Sequence, residues 1–153
     1  MSETIDNSDY IDWEVITACE LNASAAEVWY LVGGFYNIHH WCPDIETSVV
    51  QEGQGEDRNI RREIAFPNQP LAWEELEFMD NKNMLYKYKW YKGAWGESVQ
   101  KYHSQIQVVE TELGKKCILK WSAKFFHDSD AITGFYHNGF NFLIEKFGGK
   151  IIT

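Results

Sequence analysis

Apolar and polar positions alternate along the chain from Tyr10 onward. Over 10–21, Trp13, Val15, Thr17, Cys19 and Leu21 share one face while Glu14 and Glu20 share the other. That period of two marks a half-buried strand. Asn22 or Ser24 is then placed to cap a short helix, and Glu27, three residues after Ser24, completes a capping box. Gly33-Gly34 ends it, and residues 35–42 predict a second short helix stopped at Pro43. Strands follow over 44–52, 57–66, 71–80, 83–92, 97–110 and 115–126. The links between them are short and carry turn residues, Gly53-Gln54-Gly55 and Pro67-Asn68-Gln69-Pro70 among them, which implies antiparallel hairpins. From 129 to 148 the period changes: Ile132, Phe135, Tyr136, Gly139, Phe140, Leu143 and Phe147 form the stripe of an amphipathic helix, stopped by Gly148-Gly149. The order is α+β, a sheet wrapping a C-terminal helix; a flat sheet under a helix with a fully packed core is the alternative. Residues 1–9 are expected to be a flexible terminus and 10–150 a single domain.

Strand parity assigns side chains to the interior. Cys117, Leu119, Trp121, Ala123 and Phe125 point inward from the last strand, and Tyr102, Ser104, Ile106 and Val108 from the one before. The 83–92 strand turns Met84, Tyr86, Tyr88 and Trp90 inward. In the 71–80 strand Leu76 and Phe78 mark the inner face, which brings Glu74 in and leaves Glu75 and Glu77 in water. Ile60, Ile64 and Phe66 likewise bring Arg62 in. An interior carboxylate and an interior guanidinium thus fall on neighbouring strands, among tyrosines. A lone buried charge is very costly, so the two form a structural ion pair or face a wet cavity as a handle for a ligand's carbonyl or hydroxyl. Tyr86, Tyr88 and Tyr102 also need partners for their hydroxyls, which suits a hydrated pocket.

Composition sharpens this picture. Aromatic residues make up 16% of the 153-residue chain, more than a plain core needs. A formal net charge of −9 repels a phosphate backbone, so nucleic acid is excluded as a partner class. No run approaches the roughly 18 apolar residues of a membrane span, and the acidic start Met1-Ser2-Glu3 has no signal-peptide character. Three widely spaced cysteines, Cys19, Cys42 and Cys117, form neither a disulfide framework nor a zinc pattern, which fits a cytoplasmic setting.

Motifs for nucleotides, phosphates, serine hydrolysis and zinc proteolysis are absent, so no metal and no cofactor is expected. His39 and His40 beside Trp41 have no Asp or Ser at triad spacing; they belong to a helix surface or to a pocket mouth. His103 has outward parity and His127 falls in a loop.

Several stretches together resemble one superfamily. Ala23-Ser24-Ala25-Ala26-Glu27-Val28-Trp29 is similar to its opening helix, Phe35 to Pro43 to its second helix ending in Trp-x-Pro, and Gly53-Gln54-Gly55-Glu56-Asp57-Arg58 to its Gly-x-Gly-x-x-Arg turn. Glu74-Glu75-Leu76 stands where relatives have Glu-Arg-Leu, Trp121-Ser122-Ala123-Lys124-Phe125 resembles a Trp-Ser-x-x-Phe strand, and Phe135 to Leu143 resembles the closing helix. The chain resembles the SRPBCC (START-like, helix-grip) superfamily over residues 12 to 148, in its polyketide cyclase/dehydrase-like branch. The resemblance implies a seven-stranded antiparallel sheet gripping the C-terminal helix over a deep apolar cavity, with two short helices after the first strand closing one end. It implies that 10–150 is a ligand-binding domain. Where relatives carry a Pro-rich loop this chain has Tyr91-Lys92-Gly93-Ala94-Trp95-Gly96, which offers Trp95 as a lid.

The expected pocket is lined by Trp41, Arg62, Glu74, Tyr86, Tyr88, Tyr102, Trp121, Phe125, Tyr136, Gly139 and Phe140, with His39, His40 and Trp95 at its mouth. Gly139 would leave room where the helix faces the ligand. Three functions remain open: carriage or sensing of a hydrophobic small molecule (lipid, aromatic or polyketide-like); a cofactor-free cyclase or dehydratase drawing on Glu74, Arg62 or Tyr102; and an interaction module with an occluded core. Ligand identity and oligomeric state leave no mark in the sequence.

Overall fold

The computed structural model describes residues 13–52, 59–99 and 101–153. The expected loose terminus at 1–9 and the Gly53–Arg58 turn lie outside these. Eight strands form one antiparallel sheet: β1 Val15–Leu21, β2 Thr47–Glu52, β3 Ile60–Ala65, β4 Ala72–Asp80, β5 Leu85–Gly93, β6 His103–Glu112, β7 Lys116–Lys124 and β8 Gly149–Ile151. Their order across the sheet is β2-β3-β4-β5-β6-β7-β1-β8. Helix α1, Ala25–Val32, and a 3-10 helix, Phe35–His40, follow β1; helix α2, Ser129–Phe147, follows β7. This is the expected α+β helix-grip architecture.

Local chemistry explains the element ends. Ser24 is the cap of α1: its Oγ accepts from the Glu27 amide at 3.2 Å while Glu27 Oε1 accepts from the Ser24 amide at 3.3 Å. Both orphan amides are satisfied reciprocally. Asp128 caps α2 by accepting from the Ala131 amide at 3.0 Å. Beyond α2 the chain makes one more short strand than expected. Gly149 has φ 135°, and a Cβ there would lie 1.9 Å from the Glu20 carbonyl oxygen, so only glycine lets β8 reach β1. Three residues carry too little alternation to announce such a strand. Similarly, the expected strand over 97–110 begins only at His103, because 96–99 winds into a 3-10 turn.

Two inward assignments are corrected. β4 pairs Leu76 with Tyr88 and then Phe78 with Lys87, so Glu77 is an extra residue and the parity inverts. Phe78 is therefore 41% exposed on the outer face, with the Lys87 ammonium 5.5 Å above its ring, and Met79 takes the inner place opposite Tyr86. Phe125 follows the end of β7 in a left-handed conformation, φ 62°, and is 45% exposed.

The core lies between the sheet and the buried stripe of α2, Ile132, Tyr136, Gly139, Phe140 and Leu143. At its centre Trp121 stacks on Tyr136 with centroids 3.9 Å apart and meets Trp41 at 5.0 Å. Gly139 sits beneath them: an added Cβ would lie 3.3 Å from both Trp121 Cζ3 and Trp41 Cζ3 and 3.4 Å from Cys42 Sγ. The room it leaves is taken by indole rings, not by a ligand. Alanine would gain about 1 kcal/mol of helix propensity and lose about as much to crowding, so a larger residue is the informative change. Gly139→Val is expected to lower unfolding free energy in urea by about 2–3 kcal/mol. An unchanged midpoint would show that helix and sheet do not approach this closely.

Candidate functional site

Arg62 on β3 and Glu74 on β4 are directly paired across the sheet. Arg62 is fully buried. Its Nε donates to Glu74 Oε1 at 2.8 Å, Nη2 lies 2.6 Å from the same oxygen, and Nη1 donates to the Phe35 carbonyl at 2.7 Å. The Phe35 and Tyr88 rings flank the guanidinium, 4.2 and 4.5 Å from Cζ. Burial alone would disfavour the charged guanidinium, but Glu74, Tyr86 and Tyr88 more than offset this and hold its pKa raised. Burial raises the Glu74 pKa too, and the Arg62 charge and hydrogen bonds pull it only part of the way back. The interior charges thus form an ion pair. Of the two, Glu74 lines the cavity described below and Arg62 does not.

Behind Glu74 lies a closed hydrogen-bonded cluster. Trp121 Nε1 donates to the Tyr88 hydroxyl at 3.1 Å and to Ser104 Oγ at 3.0 Å. Ser104 Oγ donates to the Ser122 carbonyl at 2.9 Å and lies 2.9 Å from the Tyr136 hydroxyl. Tyr102 and Tyr136 hydroxyls are 2.7 Å apart, and Tyr88 and Tyr102 hydroxyls 3.4 Å. Buried hydroxyls need such partners, and here the tyrosines supply one another.

The cavity opens at the N-terminal end of α2. It has a volume of about 320 Å³ and is half-enclosed by Phe66, Trp90, Trp95, Tyr102, Phe126 and Phe135. These rings meet edge to face: Phe66 lies 5.2 Å from Trp95 and 5.7 Å from Phe135, and Phe126 lies 5.2 Å from Tyr102. Trp95 holds φ 70° in the turn after β5, between Gly93 and Gly96, both also at positive φ. Glu74, Tyr102 and Asp44 are polar residues of the lining, and Gln69 and His127 stand exposed at the rim.

Set against the expected site, Glu74, Tyr102 and Trp95 line the cavity. Trp41, Arg62, Tyr86, Tyr88, Trp121, Tyr136, Gly139 and Phe140 do not; they are packed beneath it, because aromatic rings and their own hydroxyl network fill that space. Phe125 faces outward, and its neighbour Phe126 takes the lining position. His39 and His40 pack on each other at 4.3 Å on the 3-10 helix and are not at the mouth. His40 instead borders a shallow depression with Tyr30 and Phe147. Among the residues not anticipated, Phe66 and Trp90 had the right parity, whereas the expected strands over 44–52 and 115–126 took in Asp44 and Phe126, which the structure places in loops with His127. Among the described residues no three His, Cys, Asp or Glu side chains converge as metal ligands. No helix of the described residues is long and apolar enough to cross a membrane.

A model of the polyketide cyclase/dehydrase and lipid transport family matches residues 12–147. The chain belongs to this family. Among solved structures, XoxI from Bacillus cereus is 31% identical with a TM-score of 0.75, the match covering 87% of this chain and 94% of XoxI. Norcoclaurine synthase from Thalictrum flavum, solved in complex with dopamine and hydroxybenzaldehyde, is 20% identical with a TM-score of 0.63 over 95% of this chain and 92% of its own. The Zhui aromatase/cyclase from Streptomyces sp. R1128 is 11% identical with a TM-score of 0.64, covering 86% and 91%. The last two share the helix-grip fold with this family member, and at such identity the likeness extends to fold alone.

The phenol cluster has a measurable signature. Burial pushes Tyr86 up to about 12 and holds Tyr88, Tyr102 and Tyr136 well above the ordinary tyrosine value. The folded state therefore keeps protons that the unfolded chain releases near pH 10, so stability is intact below that pH and falls as pH rises above it. Each such phenol contributes a slope of about 1.4 kcal/mol per pH unit. Alkaline titration at the tyrosinate band is expected to show these four ionising only together with the loss of near-ultraviolet circular dichroism. Ionisation of all eight tyrosines before that loss would contradict the cluster.

Proposed function

We propose that this protein binds a small aromatic molecule in the cavity beneath Trp95, as a carrier or sensor. The observation that carries the reading is an aromatic-walled cavity of about 320 Å³ whose inner polar groups are Glu74 and Tyr102. Ligand sites span about 300–1,000 Å³, so this one suits one or two rings and is short for an extended lipid or a folded poly-β-ketone. Burial of apolar ligand surface, at about 25 cal/mol per Å², supplies affinity, and the polar groups orient the ligand. Family membership supports a hydrophobic small-molecule partner. A cytoplasmic location belongs to the same proposal.

Access can be closed without disturbing the core. Ala131 is exposed in the first turn of α2 and borders the cavity. Ala131→Trp keeps the backbone amide that Asp128 caps. In saturation-transfer NMR with one- and two-ring aromatics, p-cresol included, the wild-type protein is expected to give signals that Ala131→Trp loses at unchanged thermal stability. No binding by any member of the panel, or equal signals from both proteins, would refute the reading.

A second reading has a specific observation in its favour. Glu74 combines a raised pKa with access to the cavity beside Tyr102, which suits a general acid or base in a cofactor-free cyclisation or dehydration. Arg62 has no place in that chemistry as an enolate stabiliser, since it is not among the residues that line the cavity. Deuterium exchange of the methyl-ketone protons of 4-methylacetophenone is the probe. Acceleration by the wild-type protein that Glu74→Gln abolishes supports the enzymatic role; a rate indifferent to the substitution sinks it.

A further inference from the structure

The hydrogen positions in the phenol cluster are dictated rather than free, and they decide what the cavity asks of its ligand. A carbonyl oxygen cannot donate, so the Ser104–Ser122 contact at 2.9 Å consumes the single hydroxyl hydrogen of Ser104. The indole Nε1 of Trp121 is a donor only, so Ser104 accepts from it as well. Ser104 can then meet Tyr136 only as an acceptor, and Tyr136 donates to it. Tyr136 in turn accepts from Tyr102, whose hydrogen is thereby spent. Tyr88, accepting from Trp121, directs its own hydrogen toward Tyr102. One relay runs from Trp121 through Tyr88, Tyr102 and Tyr136 to Ser104 and the Ser122 carbonyl. Tyr102, the member that lines the cavity, has no hydrogen left to offer there.

Glu74 is polarised in the same sense. Oε1 takes both Arg62 nitrogens, and Oε2 has no hydrogen-bond partner among the described residues. Asp44, also on the wall, accepts at Oδ2 from Asn138 Nδ2 at 2.9 Å. The Trp90 indole N–H, which could have donated inward, is committed to the Ala94 carbonyl at 3.0 Å. The inner polar groups of the cavity are thus acceptors, while Gln69 and His127 sit exposed at the rim.

We propose that the cavity selects small aromatic molecules bearing a hydrogen-bond donor, of the phenol class, over aromatic ethers, aldehydes and ketones of the same shape. The inference rests on the binding reading above and narrows its ligand class. An acceptor group would face oxygen lone pairs and stay unpaired in a desolvated site, and such unpaired groups are what make polar recognition selective.

Three near-isosteric probes test it by isothermal titration calorimetry: p-cresol, 4-methylanisole and 4-methylbenzaldehyde. The wild-type protein is expected to bind p-cresol at least about tenfold more tightly than either of the others. Glu74→Gln provides the second arm. Its amide oxygen must face the Arg62 donors, which turns the amide hydrogens toward the cavity in place of Oε2. In that variant the preference is expected to reverse in favour of 4-methylbenzaldehyde. Should Glu74→Gln not fold, Tyr102→Phe removes one acceptor, and the p-cresol preference is expected to shrink without reversing. Equal affinities in the wild-type protein, a preference for the aldehyde, or a preference untouched by the variant that folds would overturn this inference and leave the binding reading standing. If none of the three probes binds, this inference is overturned, and the binding reading falls with it only if no other member of the aromatic panel binds.

Discussion

A guanidinium with no access to water has to be matched inside the protein, and Arg62 is such a group. The Glu74 carboxylate and the Phe35 carbonyl match it, with the Phe35 and Tyr88 rings at its faces. These contacts tie β3, β4 and the 3-10 helix to one point. They also set the functional geometry, because Glu74 spends one oxygen on Arg62 and is left with the other. Removing one partner of a buried pair costs about 3–5 kcal/mol, since the survivor is stranded. Arg62 thus acts as a positioning residue for the cavity and not as a member of it.

The aromatic surplus of the chain has a similar explanation. Trp41, Trp121, Tyr136 and Phe140 fill the space between sheet and helix, over a glycine that lets α2 come close. Hydroxyls in that region would be costly if dry and unpaired; the relay through Ser104 satisfies those of Tyr88, Tyr102 and Tyr136. The consequence is a shallow site. Much of the volume that a helix-grip sheet could enclose is occupied, and what remains lies at the N-terminal end of α2, under Trp95. Packing depth and the proposed ligand size are therefore linked: a cavity of about 320 Å³ suits the small rings proposed above.

Much of this was legible in the chain. Parity placed Arg62 and Glu74 in the interior on neighbouring strands, and a capping box and a turn-rich spacing announced the helices and hairpins. What misled was local. An extra residue at Glu77 inverted the side to which Phe78 points, and a left-handed Phe125 ended the alternation one step early. Strand parity and helical periodicity say that a side chain faces inward but not whether it meets a cavity or another ring, which is why Trp121, Tyr136 and Gly139 read as pocket walls. Asp44 and Phe126 fell within expected strands but lie in loops, and His127 was read as a loop residue with no parity, so that side of the site became visible only with the fold.

The proposed binding mode places a small aromatic molecule under Trp95 with its donor toward Glu74 and Tyr102. Intermolecular nuclear Overhauser effects between p-cresol and the isotopically labelled protein test this directly. Contacts from the cresol methyl to Trp95 and Phe66 at the mouth, and from the ring protons beside the hydroxyl to Tyr102, are the expected result. Contacts confined to Tyr30 and Phe147 at the outer depression, or the reverse orientation in the cavity, would contradict it.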